Sequence, residues 1–289
     1  MKISIQDLAD ANLLEAIREH ARWQNPCERV EDDGVMMVAG PNAFPIAFRN
    51  CVVRVDGRVA AARVLERAQD FFSRRGRGFT VLVRSSRDKD IDETLRAMGF
   101  SPTADSPCML VESPIAEPSI PAGVRIERFC EEAHVQHAVQ INEEAYEAIK
   151  LPAQETRVFF GRRTALLSSR VIGFVAYRGA VPVSTALTIL SGEGAGVYWV
   201  GTASHARRSG LGELCTRLAT NAGFAGGASV VTLQASPYGE SLYQKLGYTT
   251  YDRLLHFRYP EPGKSRESAD QTSNLPLNAD ARDEAAPAD

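Results

Sequence analysis

Nothing in this chain approaches a run of ~20 apolar residues, the length a membrane-spanning helix requires. Cysteine is scarce: Cys27, Cys51, Cys108, Cys130 and Cys215 are scattered, odd in number and never spaced C-x-x-C. That argues against a disulfide frame or a zinc ribbon and for reduced thiols. Positive charge is not in excess. Lys and Arg total 33 against 36 Asp and Glu, a net charge of −3. The chain therefore has no basic field to draw it to nucleic acid or to an anionic membrane. The opening residues, MKISIQDLADANLLEAIREHA, are charged throughout and lack the apolar centre of a signal peptide, so the expected setting is the cytoplasm. What remains is ordinary for a soluble globular protein, 44% hydrophobic and 24% charged, with 289 residues to fill two domains.

The most informative stretch is VYWVGTASHARRSGLGELC, residues 197–215. It reads as an apolar strand, a polar turn, and a helix opening on Gly210 and Gly212. A Gly-rich turn from strand to helix leaves first-turn N–H groups unpaired at the positive end of the helix dipole, which makes an anion cradle. The turn has neither the Gly-Lys-Ser/Thr of a Walker loop nor the third glycine of a dinucleotide fingerprint.

The run Arg207-Arg208-Ser209-Gly210-Leu211-Gly212 resembles the Arg/Gln-x-x-Gly-x-Gly/Ala loop of GNAT-superfamily N-acetyltransferases, which grips the pyrophosphate of acetyl-CoA. Downstream, ASVVTLQAS (228–236) reads as the next strand, and SLYQKLGY (241–248) resembles the family's Leu-Tyr-x-Lys-Leu-Gly-Phe segment. The resemblance implies an acetyl-CoA-dependent N-acetyltransferase of α/β (α+β) fold, with no metal, in which an amine acceptor attacks the thioester directly. A non-catalytic acyl-CoA sensor or interaction module is the alternative. The acceptor, a small molecule or a protein amine, and the oligomeric state stay open.

The first half repeats this order. Residues 5–22 carry apolar side chains at helical spacing, with Asp7 or Asp10 as a cap. VMMVAG (35–40) and CVVRV (51–55) read as strands, 59–75 as a helix, FTVLVRS (79–85) as a strand, IDETLRAMGF (91–100) as a helix and PCMLVE (107–112) as a closing strand. TLRAMGF (94–100) parallels LYQKLGY (242–248). An internal duplication follows, and with it two tandem GNAT-like folds, each a mixed, mainly antiparallel twisted sheet flanked by helices. The first copy has no glycine loop after CVVRV, and Leu95 stands where the second has Tyr243, so residues 1–112 form a degenerate domain. The Pro-rich stretch 113–122 reads as a linker and 123–260 as the catalytic domain. Residues 261–289, poor in large apolar groups, read as a disordered tail.

On the resemblance, the amides between Arg208 and Glu213, including those of Ser209, Gly210, Leu211 and Gly212, hold pyrophosphate, with charge from Arg207 or Arg208. Main-chain groups of Val200, Gly201 and Thr202 to Ala203 serve pantetheine and the oxyanion. Tyr243 is the general acid. Ser236 replaces an asparagine that often follows the next strand. The usual basic residue of the strand falls at Gly196 and Tyr198. Gly196 cannot act, which leaves Tyr198, Glu193 in the preceding turn, and Glu143 and Glu144 further upstream as weaker candidates, or deprotonation through water. His134 and His137 lack a ligand-spaced partner for a metal, His205 reads as a surface residue, and Cys215 as core packing.

Overall fold

The computed structural model describes residues 3–264 apart from 45, 149, 237 and 238. The expected tail from 265 onward lies outside the described residues. The first half runs α1 (Ile5–Trp23), β1 (Glu28–Asp32), β2 (Val35–Ala39), β3 (Asn50–Arg54), α2 (Ala61–Ser73), β4 (Phe79–Arg84), α3 (Lys89–Ala97) and β5 (Ala104–Val111). The second runs β6 (Val124–Arg128), α4 (Glu132–Glu147), α5 (Ala153–Phe159), β7 (Val171–Arg178), β8 (Val181–Ser191), β9 (Gly194–Thr202), α6 (Leu211–Ala225), β10 (Val230–Gln234), α7 (Glu240–Lys245) and β11 (Thr249–Tyr259).

Local chemistry accounts for these elements. Ser4, rather than Asp7 or Asp10, caps α1, its hydroxyl accepting from the Asp7 N–H. In α2, Val64, Leu65, Ala68, Phe71 and Phe72 are buried while Arg63, Glu66 and Asp70 face water, the pattern of a helix lying on a sheet. Every residue of β2, β3, β4, β9 and β10 is buried, as expected of strands covered on both faces. Strands β1 and β11 and helix α5 were not anticipated from periodicity. β1 is short and mostly exposed, so it carries little apolar signal.

The eleven strands of the described residues form one sheet in the order β1-β2-β3-β4-β11-β5-β10-β9-β8-β7-β6. Among the described residues only β3–β4 and β9–β10 are parallel, and each is joined by a helix, α2 or α6. The β–α–β–α–β order therefore occurs twice, as the duplication requires. The halves interleave at the centre. β11, from the second half, lies between β4 and β5, antiparallel to both, and β5, from the first half, pairs with β10.

Alternate strand residues separate two faces. On one, α2 and α3 cover the first half and α6 and α7 the second. On the other, α1, α4 and α5 enclose the largest core, which joins Trp23 and Phe48 of the first half to Tyr146, Phe159, Phe160 and Trp199 of the second. α1 belongs to the first half in sequence but packs on β8, β9 and β10 of the second. Among the described residues, no helix is long and apolar enough to cross a membrane.

Candidate active site

The parallel pair β9–β10 comes apart. Val230–Thr232 pair with Gly194–Gly196, yet β9 runs on to Thr202 past the end of that ladder, with no further strand pairing on that side among the described residues. A β-bulge lies just beyond the parting. Thr185 faces Gly201 and Leu187 faces Tyr198, so Trp199 and Val200 together oppose Ala186. Trp199 has φ +53, a left-handed conformation costly for a bulky residue and held by its surroundings. The extra residue turns Tyr198 and Trp199 to the same face, the one covered by α1 and α4, whereas Val197 and Val200 pack on the other with α6.

Beyond Thr202 the chain makes a short 3₁₀ turn over Ser204–Ala206 and enters α6 through Gly210, which has φ +73 at the N-cap. A side chain there would be strained, and Gly210 brings no capping group of its own. Leu214 N–H reaches Gly210 O, but the N–H groups of Ser209, Gly210, Leu211, Gly212 and Glu213 have no acceptor among the described residues. Five amides at the positive end of a helix thus have no acceptor among the described residues. The loop is tied from the α4 side. Ser204 donates both its N–H (2.8 Å) and its hydroxyl to Glu144. Partial burial works to raise the Glu144 pKa, but these bonds and the nearby His205 and Arg207 hold it below the usual carboxylate value. The Arg207 guanidinium folds back on Thr202 O at 3.5 Å, and Glu213 pairs with Arg217 at 2.8 Å.

Tyr243 lies on α7, 1% exposed, edge-on to Tyr248 at 6.0 Å between ring centres, in the core that also holds Leu211 and Leu214. Ser236, just past β10, is buried, and its hydroxyl has no partner among the described residues. Tyr198 is fully buried, and burial pushes its phenol well above the ordinary value. It donates to Asn12 Oδ1 at 3.1 Å, which also accepts from Thr232 Oγ1. The Asn12 amide is fixed in turn by Ile189 O and Ser191 Oγ, both at 2.9 Å. A Cβ at Gly196 would lie 2.1 Å from Asn12 Oδ1, so an amide from α1 fills the place of a strand side chain. Trp199 Nε1–H donates to His20 Nε2 at 2.9 Å, placing a second α1 residue behind the bulge.

The remaining candidates lie elsewhere. Glu193 is exposed in the β8–β9 turn, at the end of β9 away from the parting. It is seven residues from Val200, roughly 23 Å along an extended strand. Glu143 is paired with Arg157 at 2.7 Å. His134 faces Cys130 and Glu131, and His137 bonds Tyr177 at 2.8 Å. His205 is exposed and Cys215 is buried. Sequence reading missed Asn12 and His20, because a helical pattern does not say which sheet its buried face will meet.

The corresponding parting in the first half is filled by the protein itself. Arg54, at the end of β3, is 3% exposed and donates to Asp88 (3.0 Å), Asp90 (2.8 Å), Val59 O and Arg87 O. Arg84 reaches the same Asp88 at 2.9 Å and Arg54 O at 2.8 Å. This ion-pair cluster occupies the end of β3 with side chains of the same chain.

No family model and no curated protein matches the sequence. Solved structures do match. A GCN5-related N-acetyltransferase from Kribbella flavida aligns at TM-score 0.68 and 22% identity, over 93% of this chain and all of that one. A tandem GNAT protein from the clavulanic acid biosynthesis pathway aligns at TM-score 0.62 and 16% identity, over 89% and 94%. The chain has the tandem GNAT fold. A GCN5-related N-acetyltransferase from Sphaerobacter thermophilus, at TM-score 0.58 and 14% identity, covers a similar span, 89% and 95%. Within this GNAT fold, the parting of β9 from β10, the glycine turn and Tyr243 all belong to the second repeat, and the charged plug to the first.

Proposed function

We propose that the chain is an acetyl-CoA-dependent N-acetyltransferase whose second half carries the reaction. The observation that carries this reading is the row of five unpaired amides at Ser209–Glu213, set at the end of a strand that has lost its neighbour. A diphosphate supplies the acceptors those amides lack, with Arg207 and Arg208 adding charge. Pantetheine, an extended chain with amides of its own, enters the parting and pairs with the edge of β9 at Val200 and Gly201 and on toward Thr202. Ser236, with its unmet buried hydroxyl, offers a further hydrogen bond from the β10 side.

The amine attacks the carbonyl carbon, the carbonyl oxygen takes up negative charge beside main-chain donors at the bulge, and the C–S bond then breaks. The phenol of Tyr243 gives its proton to the departing thiolate. The proton lost by the amine goes to water, since Gly196 has no side chain and Asn12 fills its place with a neutral amide. Tyr198, whose hydrogen is committed to Asn12, is an acceptor and not a base at neutral pH. A reducing cytoplasmic setting fits the five free cysteines.

Titration calorimetry with CoA and a thiol-release assay across amines and peptides test this. Gly210→Val forces a branched side chain into φ +73 and turns the amides away, so CoA binding should be lost while the fold persists. Tyr243→Phe should bind CoA as the parent does and release thiol at least ~100-fold more slowly, the usual scale for a lost general acid. CoA binding with no thiol release by any acceptor, and no effect of Tyr243→Phe, would instead make the protein an acyl-CoA sensor. Unchanged CoA affinity in Gly210→Val would sink both readings.

A further inference from the structure

Asn142 lies on α4, 1% exposed, and its side-chain oxygen is buried without a hydrogen-bond partner among the described residues. It stands directly over the parted stretch of β9. A Cβ at Gly201 would come within 2.4 Å of that oxygen and 3.3 Å of Ala145 Cβ, so only a residue without a side chain leaves it room. An unmet buried carbonyl costs ~1–3 kcal/mol, and such groups in folded proteins call for an explanation. Asn12, a second buried carboxamide on this face, has all of its groups engaged.

We infer that Asn142 is the anchor of the acceptor: its side-chain oxygen accepts an N–H of the attacking amine beside Gly201. The inference rests on the acetyl-transfer reading above and adds the residue that selects and aims the nucleophile. Direction decides between the two partners. Pantetheine lying along β9 spends its amides in the plane of the sheet, on strand-edge groups. Asn142 projects from a helix packed on the sheet's face, and a nucleophile must reach a carbonyl carbon from outside the carbonyl plane. Tyr243, α6 and α7 occupy the opposite face, the side proposed for the departing sulfur. An oxygen that only accepts suits an amine or ammonium group and does nothing for an acceptor without an N–H donor, such as a tertiary amide.

The test needs no knowledge of the natural acceptor. CoA alkylated on sulfur with an N-methylacetamide group carries an N–H on the acceptor side, two atoms beyond the carbon that takes the place of the attacked one. The N,N-dimethyl analogue lacks only that N–H. The parent protein should bind the N-methyl adduct about five- to tenfold more tightly than the dimethyl one, the scale of one hydrogen bond. Asn142→Ala should bring that ratio to about one with CoA affinity unchanged. Asn142→Asp, which keeps an accepting oxygen, should retain the ratio. If Asn142→Ala fails to fold, Asn142→Leu, which keeps the volume and has no accepting oxygen, is read in its place. A ratio of one in the parent, a ratio that survives in Asn142→Ala, or a loss of CoA affinity itself in that variant overturns the inference. Failure of the parent to bind CoA would instead remove the reading on which it rests.

Discussion

His20 is a histidine that the fold keeps uncharged. It is fully buried, burial lowers its pKa to about 3, and the bond from Nδ1–H to Ala16 O offsets only part of that shift. His256 on β11 is likewise buried and lowered to about 4. Both folded-state values lie below the value of ~6.5 in the unfolded chain. Between those limits the unfolded state binds more protons, so stability is full above pH 6.5 and is lost as pH falls. Each group contributes up to about 1.4 kcal/mol per pH unit. Urea midpoints measured from pH 7 to pH 5, above most carboxylate titration, should fall steadily. His256→Gln should roughly halve the slope, and a slope unaltered in that variant would rule His256 out. The charge state of His20 also governs Trp199. A protonated Nε2 could no longer accept the indole N–H, so acid should loosen the bulge before the rest of the sheet.

At the scale of elements, the loop between β9 and α6 depends on an attachment outside itself. Glu144 on α4 receives two bonds from Ser204, at the point where the chain leaves the strand. Glu144→Ala removes both without touching the amides that face the anion. The effect expected is a three- to tenfold weaker CoA affinity, about the value of a partly exposed charged hydrogen bond, with little change in Tm. Calorimetry on the variant checks it, and equal affinity would mean that the loop holds its shape unaided. The glycine turn was legible in the sequence because what makes it work is local: a positive φ, a helix start, and the spacing between them. The segment bearing Tyr243 was legible for the same reason. Asn12, His20 and Asn142 were not. Each sits on a helix whose apolar spacing shows that one face is buried and is silent on the strand it will cover. The bulge at Trp199 was equally hidden, since one extra residue in a continuous apolar strand leaves no mark on its pattern.

At the scale of the whole molecule, the sequence showed the duplication but not that the two copies share strands. Residues 249–259 follow α7 in the order the repeat requires, and nothing in TTYDRLLHFRY says that its partners are β4 and β5. That pairing has a consequence for the halves as separate proteins. In a fragment ending at residue 120, β5 loses both its neighbours, β11 and β10. In a fragment starting at residue 121, β11 loses both of its own, β4 and β5. Each fragment would expose open strand edges and its part of the aromatic core beside Trp199, a combination that favours aggregation. The second-half fragment would also lack α1 and with it Asn12 and His20. Each fragment expressed alone is therefore expected to be insoluble or to unfold without cooperativity, and the two expressed together should recover a one-to-one complex that binds CoA, because cutting residues 113–122 severs no strand. A second-half fragment that unfolds cooperatively by itself and binds CoA as the full chain does would mean that β11 can move beside β10 and close that sheet alone. The first half would then be an appendage instead of half of one sheet.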